Sequence, residues 1–181
     1  MCNPPAPMSK VTLGDIHRID LFLDAEKRLS ENEPGWFTMQ NGRWASTWPV
    51  IDVHGVTLGS LSFRVDPKYP DYPSVSLVYG ERSVCRVDLA PPTMIKLNPP
   101  WALGLSPTVA GNHVHSWRDN RDRVLATGVW TLQARREVEH AVKRVPQMLR
   151  WFADHINLTL YGSQYGFEFK PDRNLFGEGE R

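Results

Sequence analysis

The chain is short of cysteine, of net charge and of long apolar runs, and each shortage removes a class of explanation. Only two cysteines occur in 181 residues, Cys2 and Cys85. Cys2 lies in the segment MCNPPAPMSK, which reads as a disordered arm, so no structural disulfide is expected and a reducing cytoplasm is the expected compartment. The 21 basic and 20 acidic side chains leave a formal charge of +1. That balance lacks the basic excess a nucleic-acid-binding surface needs to neutralise phosphates. No apolar run approaches the roughly 20 residues that span a bilayer, and the N-terminus lacks the apolar stretch of a signal peptide. Neither nucleic acid nor membrane is therefore an expected partner. Histidine is sparse as well. The chain has six, yet His113 and His115 stand one residue apart in GNHVHSWRDNR. What the chain has in quantity is proline, with fifteen, and tryptophan, with seven, which predicts irregular connections around an aromatic core.

Periodicity divides the chain into a disordered arm over 1–13, a single domain over 14–160, and a short strand with a loose tail over 161–181. Ile16, Ile19, Leu23 and Leu29 recur at helical spacing, so Asp15 to Leu29 reads as an amphipathic helix with Asp15 as N-cap. A run of β-like segments follows. Asn41-Gly42 marks a hairpin between WFTMQ and WASTWPVIDV, with Trp36, Trp44 and Trp48 packing around it. Leu61, Phe63 and Val65 alternate with Ser60, Ser62 and Arg64 as in a half-buried strand, and SVSLVYG and SVCRVDL continue the pattern. The second places Cys85 with the apolar set. Strands joined by short turns make an antiparallel meander of about four strands. Tyr69-Pro70 and Tyr72-Pro73 predict a rigid turn buried against the core. Ala90 to Ala110 holds five prolines and reads as a long functional loop. From Leu132 to Ile156 an apolar stripe predicts C-terminal helices, with Pro146 kinking the run or starting a second helix. The fold class is α+β.

Three chemistries compete for GNHVHSWRDNR. In a strand, residues i and i+2 share a face, so both imidazoles could reach one ion or substrate. A zinc-type site needs a third protein ligand, and the candidates Asp119, Asp122, His140 and His54 stand at no motif spacing. No metal or cofactor motif is complete. Imidazole could instead act as general base, with Asn120 or Asn112 as amide donor to a developing oxyanion. The third reading is a histidine that packs or hydrogen-bonds to fix a loop. The segment's many polar groups place it on a surface loop at the rim of a groove, with at least one imidazole accessible. The basic residues Arg135, Arg136, Lys143 and Arg144 form a solvated face or a dock for an acidic partner.

The order helix, meander, Tyr-Pro turn, histidine loop and helices resembles the ubiquitin-conjugating (UBC-like) fold. The segment GSLSFRVDPKYPDYPSVSLVYG, Gly59 to Gly80, carries the likeness, with His113 or His115 standing for the family's loop histidine and Trp130 for its tryptophan. The likeness covers roughly Asp15 to Ile156 and implies a divergent relative of prokaryotic type. Its partners would be a ubiquitin-like protein and an activating enzyme. No cysteine follows the histidines, where Arg123, Val124 and Leu125 stand, so the nucleophile of a thioester-forming transferase would have to be Cys85 upstream. On this resemblance the residues of interest are Cys85, His113, His115 and Asn120, in a thioester transferase or a non-catalytic scaffold. The competing expectation is a small metal-dependent hydrolase built on His113 and His115.

Overall fold

A computed structural model describes residues 10–138 and 141–169. Most of the expected arm and tail lie outside the described residues. The first element, α1 (Leu13–Asp24), is opened by a capping box in which Thr12 and Asp15 bond reciprocally, so Asp15 is the third residue of the helix and Thr12 its N-cap. The expected extension to Leu29 fails for a local reason. The Lys27 ammonium folds back and donates to the carbonyls of Phe22, Leu23 and Ala25, closing the C-terminus of α1. Burial lowers the pKa of that ammonium to about 8. The chain then leaves as a strand.

In chain order the strands are β1 (Lys27–Leu29), β2 (Phe37–Thr38), β3 (Trp44–Ile51), β4 (Thr57–Asp66), β5 (Tyr69–Tyr79), β6 (Arg82–Asp88), β7 (Ile95–Leu97), β8 (Thr108–Ala110) and β9 (His113–His115). Then come α2 (Trp117–Thr127), β10 (Arg136–Glu137), α3 (Val145–His155) and β11 (Leu158–Thr159). The main sheet runs β10-β9-β6-β5-β4-β3-β1-β11, with β2 added on β3. All its pairs are antiparallel except β1 with β11. The meander β3–β6 is therefore the centre of a larger sheet than the four strands expected. Asn41-Gly42 does turn β2 into β3, with Gly42 at a φ of 76°.

Side-chain alternation gives the sheet two unlike faces. Trp48, Leu61, Phe63, Val75, Leu77, Cys85 and Val87 point to one side and are buried there under Ile16, Ile19 and Phe22 of α1 and Met148, Leu149 and Phe152 of α3. A Cβ at Gly59 would collide with the carbonyl oxygen of Val78 and crowd Phe22, so the residue must be glycine for this packing. The other face carries Ser60, Ser62, Ser74, Ser76, Arg86, Asp88, His113 and His115.

The C-terminal helical reading holds only from Val145, where Pro146 occupies the first turn. Residues 129–138 form no helix; β10 pairs with β9, and side-chain bonds described below tie Ala134 and Arg135 to the rest of the fold. A short 3-10 turn, Gly162–Gly166, stands where an edge strand was expected.

The Tyr-Pro segment also departs from expectation. It belongs to β5, and the ladder to β4 jumps from Arg64–Ser74 to Asp66–Tyr69, so both prolines fall in the unpaired stretch. Tyr72 is 40% exposed, and Tyr69 is more so. Only Pro73 in this segment is buried. Tyr72→Ala should accordingly cost less than about 1 kcal/mol in denaturant unfolding. Phe63→Ala, at the core face of β4, should cost about 3–5 kcal/mol in the same measurement. NMR titration of the Lys27 side chain should give a midpoint near 8, well below its ordinary value.

Candidate functional site

Strand β9 pairs with β6 so that His113 stands opposite Asp88 and His115 opposite Arg86. Direct cross-strand partners share a face, and these four side chains meet. Nε2 of His113 and Nε2 of His115 each lie 3.5 Å from Oδ2 of Asp88. The Arg86 guanidinium closes the group, with Nε 2.8 Å from Asp88 Oδ2 and Nη2 2.9 Å from His115 Nε2. Nδ1 of His113 lies 2.8 Å from the carbonyl oxygen of Gly111. A carbonyl only accepts, so this nitrogen carries a proton. A guanidinium only donates, so His115 Nε2 accepts from Arg86 and its ring proton sits on Nδ1, which is buried without a partner among the described residues.

The electrostatics follow from this crowding. Burial lowers the pKa of both imidazoles; Gly111 and Asp88 pull His113 partly back up, and Asp88 does the same for His115 against the opposing Arg86 charge. Burial alone would raise the Asp88 carboxyl, but the two imidazoles where they are protonated, and the Arg86 guanidinium bonded to it, outweigh burial and hold the carboxyl below the usual range. Arg135 lies near enough to disfavour protonation of either histidine.

The surface loop expected here is a correction to make. His113 and His115 are only 4% and 2% exposed, because the pair forms a sheet strand and not a loop. Several of the polar groups that argued for exposure are satisfied inside, while Arg118 stays exposed. Ser116 caps α2 through the backbone N–H of Asp119. Asp119 receives a two-pronged bond from Arg136 at 2.7 and 2.8 Å. Asn120 is fully buried: its Oδ1 accepts from the N–H of Ala134, and its Nδ2 donates to the carbonyls of Ser116 and Ala134. Asn112 does the same between Ala90 N–H and Val142 C=O. Both amides are structural ties, and neither faces the imidazoles as an oxyanion donor.

Cys85 faces the opposite way. It is 3% exposed on the core side, at the floor of a cleft of about 1130 Å³ between α1, α2 and α3. Burial pushes its thiol up to about 12, so it is not ionised near neutral pH. The sheet itself separates Cys85 from the two histidines. Asp20 and Arg121 line the same cleft and form a charge-assisted pair at 2.9 Å, joined by the Trp117 indole N–H.

Of the proposed third ligands, Asp119 is taken up by Arg136, Asp122 lies exposed beside Arg121, and His54 sits in the exposed turn after β3. His140 lies outside the described residues. The carboxylate that joins the histidines is Asp88, which the sequence did not single out. Its signal was present in SVCRVDL, where Arg86 and Asp88 form the polar side of the alternation, but pairing with β9 was needed to use it. Searches against family models, curated proteins and solved structures return no match for the chain.

Replacement of Asn120 by Ala strands the Ala134 N–H and two carbonyls, and should destabilise the protein by roughly 2–4 kcal/mol in urea unfolding. In a Cys2→Ser background, the remaining thiol should resist a disulfide reagent in native protein and react at once in denaturant.

Proposed function

We propose that the chain is a UBC-like component of a prokaryotic protein-modification pathway that works by non-covalent binding and carries no thioester. The observation that supports the family likeness is positional. Helix α1 lies across one face of the β3–β6 meander, and the chain then passes through the proline-rich β7–β8 segment to a histidine strand and a helix. The buried, unionised Cys85 favours a scaffold over a transferase, because a thioester needs an accessible thiolate. The charged cleft between the three helices, with Asp20, Asp24, Arg118, Arg121 and Asp154 along it, offers a surface for a protein partner. A metal-dependent hydrolase is less well supported. Its catalytic ion would need an open position facing a cleft, whereas the imidazoles are buried on the sheet face turned away from this one.

The test looks for a ubiquitin-like protein and an activating enzyme encoded beside the chain, whose absence would count against the reading, and pairs each one found with the purified chain. Calorimetry should show binding to at least one of them. Incubation of all three with ATP should leave no adduct sensitive to thiol reductants. Such an adduct, lost in Cys85→Ser, would overturn the scaffold form. Absence of binding to either partner would remove the reading altogether.

A further inference from the structure

The group on the polar face of the sheet has a property that the binding function leaves unused. Because His113 gives its Nδ1 proton to Gly111, the neutral ring presents a lone pair at Nε2. His115 presents one at Nε2 to Arg86. Both nitrogens lie 3.5 Å from the same carboxylate oxygen, and the three ligand atoms all lie within 4.8 Å of one another. Three electron-pair donors this close repel each other unless a cation lies among them. Arg86 supplies part of that charge, touching Asp88 and His115.

We propose that Asp88, His113 and His115 bind a divalent transition-metal ion, and that Arg86 is the resident cation which the ion displaces. The spacing suits it. An ion with tetrahedral bonds of about 2.05 Å holds its ligands about 3.3 Å apart, close to the 3.5 Å of the two nitrogen–carboxylate pairs, with the two nitrogens within 4.8 Å of each other. The Gly111 carbonyl fixes the tautomer and tilt of His113, as the outer partner of a metal-bound imidazole does. Ladder pairing of β6 and β9 holds the ligands on two neighbouring strands, so the site is built before any ion arrives. Two imidazoles and one carboxylate select zinc, cobalt or nickel over magnesium or calcium, which prefer all-oxygen shells. Entry is from the side of Arg86, whose side chain is 40% exposed and can turn to water. Glu137 stands opposite His113 across the β9–β10 pair. The bound ion would clasp β9 to β6 and do no chemistry of its own.

The displaced arginine makes the proposal testable by a gain of binding as well as a loss. Full-length protein stripped with a chelator would be titrated with zinc against a chromophoric competitor, and with cobalt to read its visible absorption. One ion per chain is expected. Arg86→Ala removes the competing cation and should bind at least tenfold tighter. Asp88→Asn, close in shape to the native residue, and His113→Ala should each bind at least tenfold more weakly, with circular dichroism confirming that they fold. The proposal is overturned if neither wild type nor Arg86→Ala takes up a stoichiometric ion. It is equally overturned if Asp88→Asn and His113→Ala, still folded, keep the ion, which would place it at another histidine. No modifier or activating enzyme enters the measurement, so its outcome is independent of the partner-binding test.

Discussion

Backbone groups that leave the ladders must be paired by something else, and in this protein asparagine pairs them. Asn98 accepts from the N–H of Arg135 and donates to its carbonyl and to that of Ser106. Asn120 treats Ala134 in the same way, and Asn112 spans Ala90 and Val142. Each amide thus acts as a short piece of strand. Together they fasten the long proline-rich connection and the 129–138 segment against β9 and α2. The same bonds hold Arg135 near the two imidazoles.

The second constraint is the twofold alternation of the central strands. It sends Cys85, Val87 and Val114 to the helices, and Arg86, Asp88, His113 and His115 to the other side. Two chemistries that look adjacent in the sequence are thereby kept apart. A buried thiol on one face cannot exchange protons with a histidine on the other, so any account that couples them has to move a strand. Strand slippage by one residue would invert both faces at once, which makes such movement costly.

How much of this was legible before the fold was known depends on the range of the forces involved. The meander, the Asn41-Gly42 turn and the burial of Cys85 follow from alternation and turn chemistry, which are local. Pro146 likewise marks a helix start. The helix expected from Leu132 fails over 132–138 because Asn98 and Asn120, remote in sequence, take the backbone bonds of Arg135 and Ala134. The loop read around His113 fails because a charged and polar segment was assumed to need water, whereas α2 and its cap supply the bonds. Asp88 was missed for a related reason: its role depends on a partner strand 25 residues further on.

Among the described residues both rims of the sheet are very short. It ends in β10 on one side and β11 on the other, each two residues long. A rim of that length presents too few free N–H and C=O groups to template another strand. Amyloid-like growth and edge-to-edge dimers therefore have little to start from. For the same reason a protein partner is not expected to dock by adding a strand, and it must recognise side chains. A partner of the kind proposed would then be selected by side-chain charges and not by a backbone pattern that any extended peptide can match.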